Sequence, residues 1–117
     1  MGRVRPLLRR GEVWDADFDP VRGREQAGRR PAVIVSADRF HQSRSALAYV
    51  LPVTRTDRGS PWQVLVDPPE GGLVARSFVM CDQLRVFSID RLIRWRGRLD
   101  PASLRLIEDR LVVLLDL

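Results

Sequence analysis

The sequence has no lysine, one cysteine and one histidine, and each scarcity removes a class of protein. A single cysteine, Cys81, can neither pair within the chain nor build a thiolate metal cluster. Disulfide-rich secreted scaffolds and structural zinc modules are therefore excluded, and Cys81 reads as a buried small hydrophobe. A single histidine, His41, excludes a histidine-pair nuclease. A Ser-His-Asp or Cys-His enzyme would have to recruit it from a polar connection, so His41 reads as an ordinary surface residue. No run of roughly eighteen apolar residues occurs, and the basic opening Met1–Arg10 lacks the apolar stretch of a signal peptide. The expectation is a cytoplasmic protein with no membrane partner.

All twenty basic residues are arginine, and against fifteen acidic residues they give a net charge of +5. Arginine offers a planar fork of donors that suits phosphate, which favours a phosphate-bearing partner. The arginine preference of a GC-rich genome gives the same composition, which leaves both readings open. The 117 residues suit one compact core, and 44% hydrophobic residues exclude disorder. There is no internal repeat.

After a flexible basic segment, 1–9, Glu12 to Phe18 alternates as a half-buried strand, with Trp14, Ala16 and Phe18 on one face and Val13, Asp15 and Asp17 on the other. Val21 to Arg30 has loop composition on a scale too long for a tight hairpin. Pro31 to Ser36 is continuously apolar and hence a strand buried on both faces, and 37–45 is a polar connection with one helical turn. A third strand spans Ala46 to Thr54, where Pro52 marks an edge position or a bulge. Pro61 to Asp67 and Leu73 to Gln83 read as further strands, Asp82-Gln83 surfacing at the end, and Phe87 to Asp90 reads as a turn. Leu92 to Leu99 alternates Ile93, Trp95 and Leu99 against a basic stripe of Arg94, Arg96 and Arg98. Asp100-Pro101 then opens a C-terminal helix that is apolar nearly all round, which suggests a homodimer partner for its second face. The fold expected is mainly β with a C-terminal helix, a small curved antiparallel sheet or partly open barrel of about five or six strands.

Asp15, Asp17 and Asp19 alternate along the first strand and could converge on a metal, but such a stripe is more often simply the wet side of a strand. The long loop, the buried strand after it and Thr54 at the end of the next strand remain as the place for chemistry.

At these residues the sequence resembles a known family. Arg10-Gly-Glu-Val-Trp, Asp17-Phe-Asp-Pro20 and Gly23-Arg-Glu-Gln-Ala-Gly-Arg-Arg-Pro31-Ala-Val-Ile-Val-Ser are similar to the signature of the MazF/PemK toxin endoribonucleases. The likeness runs from about Arg10 to Leu115 and takes in Val50-Leu-Pro-Val-Thr54, Gly59-Ser-Pro-Trp-Gln-Val-Leu-Val, Asp82-Gln83 and the helix at Asp100-Pro101. It implies a single toxin domain over 10–117 with a homodimeric SH3-like (MazF/CcdB-type) barrel. It also implies metal-free, cofactor-free cleavage of single-stranded RNA, with inhibition by a cognate MazE-like antitoxin. Carried across, the catalytic arginine before proline falls on Arg30 and the catalytic threonine on Thr54. The RNA-holding positions fall on Glu25, Gln26, Ser77, Asp82 and Gln83, and Arg24 stands where the family usually has serine.

The residue types suit that chemistry, because RNA brings its own nucleophile in the 2′-hydroxyl and leaves the protein to orient it and stabilise charge on phosphorus. Arg30 would hold the scissile phosphate and Thr54 a phosphate oxygen or the hydroxyl. Arginine, with its pKa above about 12, is a poor general base; Glu25 is a better one by chemistry and is grouped here with the binding residues. Gln26, Gln83 and Asp82 would read unstacked bases. The stripe at Arg94, Arg96 and Arg98 reads equally as a path for RNA, a receptor for an acidic antitoxin tail, or a solvated strand face. Two other functions fit a basic barrel: a non-catalytic toxin of the same fold directed at a protein such as gyrase, and a plain nucleic-acid-binding module.

Overall fold

The computed structural model describes residues 7–18 and 28–117. Its strands are β1 (Glu12–Asp17), β2 (Arg29–Ile34), β3 (Leu47–Thr54), β4 (Gln63–Val66), β5 (Ser77–Met80), β6 (Arg85–Ser88) and β7 (Leu92–Arg98). A short helix α1 (Asp38–His41) lies between β2 and β3, and α2 (Pro101–Leu115) closes the chain. The seven strands form one antiparallel sheet in the order β4-β5-β3-β2-β1-β7, with β6 paired to β3 off that path. The sheet is curved and not closed, in line with the expected class.

The central strands are sandwiched between two cores. Trp14 and Ala16 of β1, Ala32 and Ile34 of β2, and Ala48 and Val50 of β3 pack on one side with Phe18 and Phe87. The alternate residues Val13, Val33, Leu51 and Val53 pack on the other with β4, β5 and Ile107 of α2. The period of two thus fills both faces, and β1, half-buried by its pattern, is fully buried at its first three positions. Its Glu12 is buried as well, accepting the Arg9 backbone N–H at 2.7 Å and the indole N–H groups of Trp14 at 3.3 Å and Trp95 at 3.0 Å.

Four local expectations are corrected. Pro52 sits in β3, a central strand and not an edge. The Val35 N–H donates to the Tyr49 carbonyl at 3.0 Å, so the antiparallel alternation turns the nitrogen of residue 52 away from β2. On that other side Leu47–Val50 pair with β6 and Val53–Thr54 with β5, leaving residue 52 between the two partners, where no ladder donor is required. His41 is buried at 5% exposure, its Nε2 bonded to Ser36 Oγ at 2.6 Å and its Nδ1 3.3 Å from the Leu8 carbonyl. It therefore pins the opening segment to α1. Phe87, expected in a turn, lies in β6 and is buried. Ile93 and Trp95 are exposed at 42% and 54%, because two register shifts between β1 and β7 break the parity of the pattern.

Of the first nine residues, expected to be flexible, Leu8 is packed into the core and Arg9 is tied to Glu12, whereas 1–6 lie outside the described residues. On α2, Pro101 occupies the first turn, Ile107 is fully buried, and Leu106, Val112, Val113 and Leu115 are exposed, as is Leu117 after the helix. Among the described residues no helix is long and apolar enough to cross a membrane.

Candidate active site

A cleft of about 400 Å³ opens where the ends of β2 and β3 meet the segment before β5, and both Arg30 and Thr54 line it. Local sequence sets each position. Pro31 restricts the residue before it to extended backbone, which holds Arg30 in β2 across from Ala16 of β1. Thr54 is the last residue of β3, paired with Phe78 of β5, and is buried at 5% exposure. The Thr56 backbone N–H donates to Thr54 Oγ1 at 3.2 Å. That local turn fixes the hydroxyl while leaving its proton for a group in the cleft.

Ser77 also lines the cleft, but its hydroxyl donates to the Ala75 carbonyl at 2.8 Å and its side chain is buried. Its first bond is therefore internal. Asp82 and Gln83 are not part of the cleft lining: they follow β5 at its far end, in the turn after Met80. Asp82 is exposed and Gln83 partly so. Arg24, Glu25 and Gln26 lie outside the described residues. The Phe18 N–H donates to the Gly28 carbonyl at 2.9 Å, so the segment that carries them leaves β1 and enters β2 at the cleft end of the sheet.

Sequence reasoning missed two charged groups of the lining, Arg29 and Arg55, and singled out two others, Asp15 and Arg96, without assigning them to this cleft. Asp15, by its pattern a wet-face or metal carboxylate, bonds Arg96 at 3.2 Å and Arg94 at 3.3 Å, which commits it to two guanidinium groups. Arg96 also donates to the Gly72 carbonyl at 3.0 Å. That approach requires glycine at 72: its φ is +67°, and a Cβ there would collide with the Arg96 carbonyl. Arg98 lies 4.0 Å from Glu12. All three arginines of the β7 stripe thus face carboxylates, yet Arg94 and Arg98 remain solvated, with side chains 70% and 60% exposed, and Arg96 alone is largely buried. Arg29 and Arg55 directly adjoin Arg30 and Thr54 in sequence, but adjacency alone did not mark them for the cleft.

No group of three metal-ligating side chains occurs among the described residues. Cys81 is buried, and desolvation pushes its thiol up to about 11, so it is a packed hydrophobe and not a nucleophile. The chemistry open to the cleft is the binding of an anion by arginine beside an oriented hydroxyl.

A family model described as PemK-like, MazF-like toxin of type II toxin-antitoxin system matches residues 9–115. The chain is 37% identical over 116 residues to a Mycobacterium tuberculosis protein named endoribonuclease MazF9, covering 95% of this chain and 98% of that one. It is 32% identical over 110 residues to the endoribonuclease toxin MazF of Escherichia coli, covering 88% of each. Among solved structures it is similar to MazF from Deinococcus radiodurans, with a TM-score of 0.84, 25% identity, and 96% of this chain and 99% of that chain covered. A MazE-MazF structure from the same organism matches with a TM-score of 0.79 and 26% identity, over 96% of this chain and 98% of that one. On the residues matched by the family model and on this shared sequence, the chain belongs to the PemK-like, MazF-like toxins of type II toxin-antitoxin systems.

Proposed function

We propose that this chain is a sequence-specific endoribonuclease toxin that cleaves single-stranded messenger RNA through the RNA's own 2′-hydroxyl. The 2′-oxygen attacks the adjacent phosphorus, the bond from phosphorus to the 5′-oxygen breaks, and the 5′-oxygen takes up a proton. The products are a 2′,3′-cyclic phosphate and a 5′-hydroxyl. The observation that carries this reading is the meeting of Arg30 and Thr54 in one cleft. Arg30 holds the scissile phosphate through two donors and stabilises the charge that grows on its oxygens. Thr54, held by the Thr56 N–H, directs its proton to a phosphate oxygen or orients the nucleophile. Arginine stands where a metal would otherwise neutralise phosphate, and Asp15, the carboxylate of the lining, is already shared by two guanidinium groups. The proposed reaction uses no cofactor.

Ser77 contributes to the wall of the site, and the Glu25-Gln26 segment together with Asp82 and Gln83 contact RNA beyond it. The exposed leucines and valines of α2 are covered by a second copy of the chain, which makes the toxin a homodimer. A MazE-like antitoxin with an acidic segment holds it inactive, a reading supported by the similarity of this chain to the MazF of a MazE-MazF structure. A substrate of this class places the activity in the cytoplasm. Neither a gyrase-directed toxin nor a plain RNA-binding barrel requires an arginine and a threonine converging on one phosphate. Replacing the ribose on the 5′ side of a mapped cut by deoxyribose is expected to stop cleavage there; continued cutting at that linkage would remove the mechanism.

A further inference from the structure

Arg29 and Arg55 line the same cleft as Arg30 and Thr54. The register of β2 against β3 runs Ala32 to Pro52, Val33 to Leu51 and Ile34 to Val50. Continued toward the cleft, it sets Arg30 across from Thr54 and, one step further, Arg29 across from Arg55. Like charges facing one another across neighbouring strands destabilise a sheet unless something compensates them. Asp17 of β1 stands across from Arg29 without forming an ion pair with it; both arginine side chains are exposed, and neither makes a hydrogen bond or ion pair with the described residues. Asp15 is occupied by Arg94 and Arg96, so among the described residues the lining carries four guanidinium groups against one committed carboxylate.

We propose that Arg29 and Arg55 form a second phosphate subsite, which grips the phosphodiester next to the scissile one in the same RNA strand. The proposal rests on the ribonuclease reading above and adds a binding group to it. An acidic peptide would also relieve the repulsion. RNA is favoured because the subsite is one residue step from the reacting pair, where the continuous phosphodiester chain of a bound substrate has to pass. The two arginines are positioning residues: they fix the register of the strand over Arg30 and do not touch the reacting atoms.

The test uses RNA oligonucleotides with one mapped cut site, some with a neutral methylphosphonate at the linkage on either side of it. Arg55→Ala is expected to raise KM about 10-fold with kcat within about 3-fold, and Arg55→Lys to recover part of the loss. One of the two neutral linkages should cost the wild type a similar factor and cost Arg55→Ala little, because both changes remove the same contact. The dependence of log KM on log salt should become shallower by about 0.7. Thermal melting of the variants should be no lower than that of the wild type, since a repulsion has been removed. An unchanged KM in Arg55→Ala, or equal linkage penalties in both proteins, would overturn the subsite. Weakened binding of polyglutamate with unchanged RNA kinetics would overturn it in favour of an acidic peptide. If the wild type cuts no RNA at all, the ribonuclease reading falls and takes the subsite with it.

Discussion

Strand β7 and the cleft between β2 and β3 both present arginines at the surface, yet they differ in what faces those arginines. On β7, Arg94 and Arg96 share Asp15, and Arg98 lies beside the buried Glu12. At the cleft, neither Arg29 nor Arg55 forms an ion pair with the described residues, although Asp17 stands across from Arg29 on β1. The β7 arginines stitch an edge strand to its neighbour, with three guanidinium charges set against two carboxylates. In the proposed subsite Arg29 and Arg55 turn their charge to a phosphate. A run of arginine in a sequence is thus ambiguous until its carboxylate partners are placed, and the partner decides whether the charge serves the fold or a bound phosphate.

The largest effect that can break this comparison lies at the cleft. Arg30→Ala is expected to lose about 10²-fold or more in cleavage rate with unaltered circular dichroism, as removal of a main transition-state donor requires. Thr54→Ala should follow with a milder loss of roughly 10-fold, because it removes one hydroxyl contact. Near-normal cleavage by a folded Arg30→Ala would move the site elsewhere.

The opposite signature is expected at β7. Glu12→Ala leaves the Arg9 N–H and two indole donors without their acceptor and should lower stability by about 2–4 kcal/mol, read as a lower urea midpoint at unchanged slope. Its kcat on RNA should stay within a few-fold under conditions where the variant is folded. The smallest effect belongs to Arg98→Ala. That side chain is 60% exposed and 4.0 Å from its partner, so the change should cost under about 1 kcal/mol in the same unfolding measurement. A large loss of activity in Arg98→Ala would mean that the stripe guides RNA after all, and would blur the contrast between the two regions.

The parts of the fold that were legible in the sequence are those in which the pattern and the packing share one period. The apolar stretch from Pro31 belongs to a strand with a core on each face, and Asp100-Pro101 opens α2. The pattern failed where a residue's surroundings come from distant chain. Strand β6 is only four residues, with alternate exposed positions, and exists because β3 offers it an edge. The faces of Ile93 and Trp95 are inverted by register shifts that involve β1, and no window on β7 alone records them. His41 has the sequence context of a surface residue because its partners, Ser36 and the Leu8 carbonyl, are set by tertiary contact.

At the site, Arg30 and Thr54 were legible through the motifs around them, and the structure places both at one cleft. Arg29 and Arg55 were not, because a single exposed arginine carries no signal by itself. They come together only through the tertiary contacts that build the cleft, which both line. Asp15 is illegible for the same reason: its commitment to Arg94 and Arg96 depends on β7 lying beside β1.

The most direct measurement is incubation of the purified protein with a long single-stranded RNA in excess EDTA, followed by mapping of the cut positions and of the new ends. The account predicts cuts at one recurring short sequence, with 2′,3′-cyclic phosphate on the upstream fragments and 5′-hydroxyl on the downstream ones. Cleavage abolished by the chelator, fragments ending in 5′-phosphate, or binding without cutting would contradict it.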